Sequence, residues 1–200
     1  MANLPPPRSY DVYFSAPGGS RFFSRNPNHG IAVADSGITW TADGRTSEAP
    51  FADIVSVHLQ TATLGNAERM IDQCRIEFVN GTALVVSNAS SSGLPDQAQT
   101  PPYRDFVRDL HAHLAAHTDG AIHFSAGMAQ WRYNGLLVTM IIAGLFFVAA
   151  PLLLVAFTGD LYGLIIAAGG ASLSWPFIEL LRNNAPRDYR PDQLPDELLS

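Results

Sequence analysis

The sequence predicts an α+β chain in two parts: a small antiparallel β-barrel or sandwich capped by one C-terminal helix, followed by an apolar two-helix hairpin. Three observations predict it. Up to Ser87, seven short β-type runs alternate with turn residues. From Tyr103 to Leu114 the apolar period lengthens to that of a helix. After Arg132 charge nearly disappears: 27 uncharged positions from Tyr133 to Gly159, then Asp160, then 18 more from Leu161 to Ile178.

The predicted strands are Tyr10–Ser15, Arg21–Ser24, Gly30–Ala34, Gly37–Thr41, Ile54–Thr61, Gln73–Val79 and Ala83–Ser87. Turn chemistry separates them: Pro17-Gly18-Gly19, Asn26-Pro27-Asn28, Asp35-Ser36-Gly37 and Asp43-Gly44. Asn80-Gly81 divides Cys74, Ile76 and Phe78 from Leu84 and Val86, and the pair suits a type I′ hairpin. Gln73, Arg75 and Glu77 alternate with the apolar set, which predicts one wet and one buried face. Val55, Val57 and Leu59 repeat the alternation one strand earlier. Residues 88–102 read as a polar loop with little means to bury itself. Tyr103, Phe106, Val107, Leu110 and Leu114 then define the stripe of a helix over about 103–117, with Thr100 or Pro101 at its start. That stripe needs a partner, and the open end or face of the sheet supplies it.

This order resembles a pleckstrin-homology-like (PH-like) domain over about residues 9–118. The likeness rests on the strand run ending at Asn80-Gly81, the loop, and the helix Tyr103–His117. The nearest family is that of bacterial proteins joining such a domain to a transmembrane hairpin. The resemblance implies a roughly seven-stranded, strongly bent barrel plugged at one end by the helix. It also implies binding and scaffolding work without a built-in reaction. Only Arg21 and Arg25, with His29 near by, stand where phosphoinositide-binding members gather several basic residues, so specific phosphoinositide recognition is not expected.

A spanning helix needs roughly 20 apolar residues, and each charge-free run supplies enough. The expected helices are about 134–157 and 161–181, joined by a turn at 158–160. Pro151 lies inside the first run and removes one helical hydrogen bond. Gly163, Ala167, Gly170, Ala171 and Ser174 put small side chains on one face of the second, where helices approach closely in lipid. Packing within the hairpin and oligomerisation are the two uses of such a face. Trp131, Arg132 and Tyr133 at one end, and Trp175 and Arg182 near the other, are the expected membrane-interface residues, with Tyr189 a further aromatic beside them. Arg132 precedes the hairpin, Arg182, Arg187 and Arg190 follow it, and the turn has no basic residue. The positive-inside bias therefore places both termini in the cytoplasm of an inner membrane. The start, Met1 to Arg8, lacks a secretory signal pattern and agrees with that orientation.

The chain thus divides into a Pro-rich tail (1–8), a PH-like domain (9–118), a linker (119–132), the hairpin (133–181) and a Pro-rich tail (182–200). Pro186, Pro191 and Pro195 keep the second tail extended; it is either disordered or docked through Leu194, Leu198 and Leu199 on this chain or a partner.

A net charge of −6 argues against nucleic-acid binding, which needs clustered positive charge. All 12 basic residues are arginine. The single cysteine, Cys74, excludes an internal disulfide and a multi-cysteine zinc site, and its place in the inward alternation predicts a buried thiol. His111, His113, His117 and His123 cluster, and Asp109 with His113 and His117 has a zinc-like spacing, yet helical geometry favours ordinary structural or solvent-facing histidines. Gly18-Gly19 and Gly169-Gly170 lack the context of nucleotide loops. Asp160 and Glu179 most simply mark opposite membrane interfaces rather than an ion path. No catalytic, cofactor or metal set is assigned. The expected function is non-enzymatic: a membrane-anchored binding or scaffold protein with the lipid bilayer and cytoplasmic proteins as partners. The alternative is a small accessory subunit of a transporter or respiratory-type complex, assembled through the hairpin as a homo- or hetero-oligomer.

Overall fold

The computed structural model describes residues 8–16, 30–63, 70–117, 122–159 and 161–194. The chain separates into two compact units, Met1–Ala126 with Arg187–Ser200, and Gly127–Pro186. The first is the α+β unit. Its strands are β1 (Arg8–Tyr10), β2 (Tyr13–Ser15), β3 (Ile31–Ala34), β4 (Gly37–Ala42), β5 (Arg45–Pro50), β6 (Ile54–Thr63), β7 (Met70–Phe78) and β8 (Ala83–Ser87). Helix α1 (Thr100–His117) and β9 (His123–Ala126) follow, and β10 (Arg187–Asp188) comes after the second unit. The expected strand Arg21–Ser24 and the Gly18-Gly19 turn lie outside the described residues.

The strands form two sheets rather than one closed barrel: β1-β3-β4-β5, and β10-β9-β6-β7-β8-β2. β1 pairs with β3 while β2, two residues further on, pairs with β8, so one short stretch serves both sheets. Side chains from both sheets and from α1 meet in one core, including Phe14, Ile38, Val57, Leu59, Phe78, Val86 and Phe106. The inner-face alternation of Cys74, Ile76 and Phe78 is observed. Tyr103, Phe106, Val107, Leu110 and Leu114 of α1 are all buried, so the stripe does cap the sheets.

Four local expectations change. β5 was not legible because Arg45-Thr46-Ser47-Glu48 has no apolar alternation; it forms because Asp43 and Gly44 both take positive φ and turn the chain back in a two-residue loop, Ala42 opposite Arg45. The Asn80-Gly81 hairpin is not type I′, since only Gly81 has positive φ. Gly81 donates to the Phe78 carbonyl and Phe78 to that of Thr82, a three-residue loop, while the Val79 amide is drawn aside to the Asp53 carbonyl at 2.8 Å. In β6 a bulge between Ile54 and Ser56 inserts one residue and reverses the alternation before it. Val55 therefore faces solvent, and Ile54, Val57 and Leu59 face inward. Finally, residues placed in a linker form β9, which lies parallel to β6 with Ser56 opposite His123.

The second unit is helical. α2 (Gln130–Gly144) passes through a π-helical turn (Leu145–Ala149) into α3 (Ala150–Thr158), and α4 (Tyr162–Asn183) returns. Gly159 at φ 73° ends α3, with its amide on the Val155 carbonyl at 2.8 Å. Asp160 lies outside the described residues.

Candidate functional site

The hairpin presents two helices, Gln130–Thr158 and Tyr162–Arg182, that are long and apolar enough to cross a membrane by length and composition. Their large apolar side chains face outward: Phe157 is 86% exposed, Leu173 75% and Ile165 70%. The two helices touch along a narrow line. Pro151 has no N–H, so the Phe147 carbonyl four residues earlier loses its helical donor, and the helix widens into the π turn at that point. Gly170 packs on this carbonyl; a Cβ there would lie 2.7 Å from the Phe147 oxygen. At Gly163 a Cβ would lie 2.8 Å from the Pro151 oxygen. Ala167, one turn from each glycine, is buried.

Of the five expected packing residues, Gly163 and Gly170 therefore meet the first helix. Ala171 is exposed, and Ser174 is half-buried with its hydroxyl donating to the Gly170 carbonyl at 2.8 Å. Trp131 and Trp175 are exposed, and Tyr133 is half-buried. The Arg132 guanidinium lies 5.6 Å from the Trp131 ring centre. Arg182 is exposed in the last turn of α4, where a cation complements the helix dipole. At the base of this unit the Met128 amide donates to the Asn184 carbonyl at 2.9 Å, and Gly127, at φ 93°, fits against the Ala185 carbonyl where a Cβ would clash.

Of the clustered histidines His111, His113 and His117 lie on α1, while His123 is exposed at the start of β9, 3.4 Å from the Asp188 carboxylate. His111 and His113 are buried, each with Nδ1 on the carbonyl one turn back, Val107 and Asp109, at 2.7 Å. His117 is exposed, with its ring near those of Phe51 and His113. The Asp109 carboxylate, the third member of the zinc-like spacing, accepts from the Tyr10 hydroxyl and lies 4.0 Å from Arg8. Burial pushes the Cys74 thiol up to about 12, a poor state for a nucleophile.

The tail between Arg187 and Leu194 is docked. β10 pairs with β9, Arg187 opposite Ala126. Tyr189 leaves the membrane-anchor role proposed for it from sequence: its ring packs on Phe124 and His111, and its hydroxyl lies 2.7 Å from His111 Nε2. With Nδ1–H committed to the Val107 carbonyl, Nε2 is the acceptor and the tyrosine donates. Burial pushes the His111 imidazole down to about 4 against the pull of that carbonyl, so the ring is neutral near pH 7. Leu194 packs on the core, while Leu198 and Leu199 lie outside the described residues.

A buried polar cluster was missed by sequence reasoning. Asp72 is fully buried on β7. Its Oδ1 accepts from Thr61 Oγ1 at 2.9 Å, its backbone amide donates to Asn88 Oδ1 at 2.8 Å, and its carbonyl accepts from Ser87 Oγ at 2.8 Å. Asn88 also reaches Thr100 Oγ1 at 3.3 Å, which ties the loop to the start of α1. Burial raises the Asp72 carboxyl to about 6, against the Thr61 hydrogen bond and the charge of Arg104. The signal was present: Asp72 occupies the same parity as Cys74, Ile76 and Phe78, an acid in a core-facing slot. The loop called polar is anchored here by Asn88. Comparison of the chain with protein-family models finds no match, and comparison with curated proteins finds no similar sequence.

Proposed function

We propose that this chain is a non-enzymatic, membrane-anchored binding or scaffold protein that presents a PH-like domain at the cytoplasmic face of a bacterial inner membrane. The observation that carries the reading is the outward-facing apolar surface of the hairpin, from Leu137 through Phe157 to Ile178. In water that surface is unfavourable at about 25 cal/mol per Å²; hydrocarbon covers it at no such cost, and the helices satisfy their own backbone. The PH-like part is supported by the strand order. With β1 and β2 counted as one bent strand shared by both sheets, seven strands among the described residues precede the capping helix α1. The filled core, with Val57, Phe78, Val86 and Phe106 all buried, suits a recognition module whose chemistry lies on its surface. The orientation is supported by Arg132 and Arg182 at the two ends of the hairpin that are remote from its turn.

The test is alkaline extraction followed by proteolysis of sealed vesicles. The chain should stay in the membrane pellet, and protease added to the cytoplasmic side alone should cut the α+β unit. Release by alkaline carbonate, or protection from cytoplasmic protease, overturns the anchor or its orientation. Mild-detergent co-purification should recover a defined partner that is lost when the α+β unit is replaced by an unrelated soluble domain; a partner retained by the hairpin alone would favour the accessory-subunit reading.

A further inference from the structure

The two sheets part along β5. β5 ends the four-stranded sheet, and Arg45 to Glu48 are exposed on it. The Phe51 amide donates to the Ser36 carbonyl, so the pairs Ile38–Ala49, Trp40–Ser47 and Ala42–Arg45 are the hydrogen-bonded ones. Thr46 and Glu48 must then direct their N–H and C=O groups away from β4, and Pro50 adds an outward carbonyl. Its missing N–H also falls on the outer side, where a proline is tolerated.

Beside this edge runs a groove of about 410 Å³, lined by Ser47, Glu48 and Asp53 on one side and by Val79, Asn80 and Thr82 of the β7–β8 hairpin on the other. Trp40 and Phe78, stacked with centroids 5.8 Å apart, also line it. Val79 is 68% exposed there. Among the described residues the lining holds two carboxylates and no basic residue. Backbone donors and acceptors with no strand partner among the described residues, an apolar lining and an acidic rim occur together.

We propose that this edge and groove bind an extended, basic peptide segment of a partner protein, which adds to β5 as a fifth strand. Main-chain hydrogen bonds to Thr46 and Glu48 supply the register, alternate apolar side chains rest on Trp40, Phe78 and Val79, and alternate arginines or lysines face Glu48 and Asp53. The proposal rests on the binding-protein reading and gives it a partner chemistry.

The experiment uses the full chain in phosphatidylcholine nanodiscs, with empty discs as the blank. Three labelled nonapeptides serve as probes: alternating valine and arginine, alternating valine and glutamate, and the arginine peptide with every backbone nitrogen methylated. The arginine peptide should bind and slow hydrogen exchange at the Thr46 and Glu48 amides. The glutamate and N-methylated peptides should bind at least about tenfold more weakly. Glu48→Lys with Asp53→Lys should transfer the preference to the glutamate peptide while leaving exchange along β4 unchanged. The proposal is overturned by any of three results: no binding of the arginine peptide, equal binding of its N-methylated form, or protection away from β5. A chain that keeps its native partner but ignores the arginine peptide loses only this groove. One that binds the peptide yet is released by carbonate loses only the anchor.

Discussion

In the α+β unit Phe14, Ile38, Leu59 and Phe106 have essentially no contact with solvent, whereas in the hairpin Phe146, Phe157, Ile165 and Leu173 have little else. Both regions obey the same rule, that apolar surface avoids water. They differ in where the avoiding is done. The sheets fold their apolar faces onto each other and onto α1. The hairpin hides almost nothing and depends on its surroundings, so its internal packing comes down to the line from Gly163 to Gly170. A phenylalanine therefore means opposite things in the two units.

The sharpest way to break that contrast is a matched truncation. Phe106→Ala should destabilise the α+β unit by about 3–5 kcal/mol, the usual cost of emptying an aromatic site in a core. Phe157→Ala should change stability by no more than about 0.5 kcal/mol. Chemical unfolding of the detergent-solubilised chain, followed by near-ultraviolet dichroism, distinguishes them; equal effects would mean the hairpin is packed like a soluble core.

The next effect concerns charge. The Asp72 carboxyl is raised above its unfolded value, so the folded state holds that proton more tightly than the unfolded state. Its favourable contribution is fully present below about pH 4 and is lost as pH rises through about 6. Above pH 6 the buried carboxylate should therefore weaken the fold by about 1–3 kcal/mol. Asp72→Asn should flatten this slope between pH 4 and 6 in unfolding curves. A variant whose slope matches the parent would place the titration elsewhere.

The smallest difference lies between neighbouring glycines. Gly170→Leu forces a Cβ against the Phe147 carbonyl, while a Cβ on Gly169 meets nothing within 4 Å. The first should loosen the hairpin by about 1–3 kcal/mol and the second should be close to neutral in the same lipid. Energy transfer between labels at the open ends of the two helices reads the separation. Equal responses would show that the glycine line does not hold the pair together.

Long periodic signals were legible and local reversals were not. The α1 stripe and the two apolar helices were readable because many residues repeat one message. β5 was invisible because an edge strand made of Arg45, Thr46, Ser47 and Glu48 carries no apolar period; only the Asp43-Gly44 turn marks it. Val55 was assigned to the wrong face because a single-residue bulge leaves no trace in composition. Tyr189 was read with the membrane aromatics because it follows the hairpin in sequence, but its hydroxyl finds His111, 78 residues earlier in the chain.

The sequence by itself determined the α+β class, the helix from Tyr103 onward, and the two helices long enough to span a bilayer. Those follow from hydrophobic period and length, which are local properties. Only the tertiary structure decided that the sheets stay open along β5, that Asp72 and Asn88 form a buried polar knot, and that the tail returns to pair with β9. Each of these depends on which distant backbone groups and side chains meet, and a hydrogen bond between them is specified by geometry that no stretch of sequence carries alone.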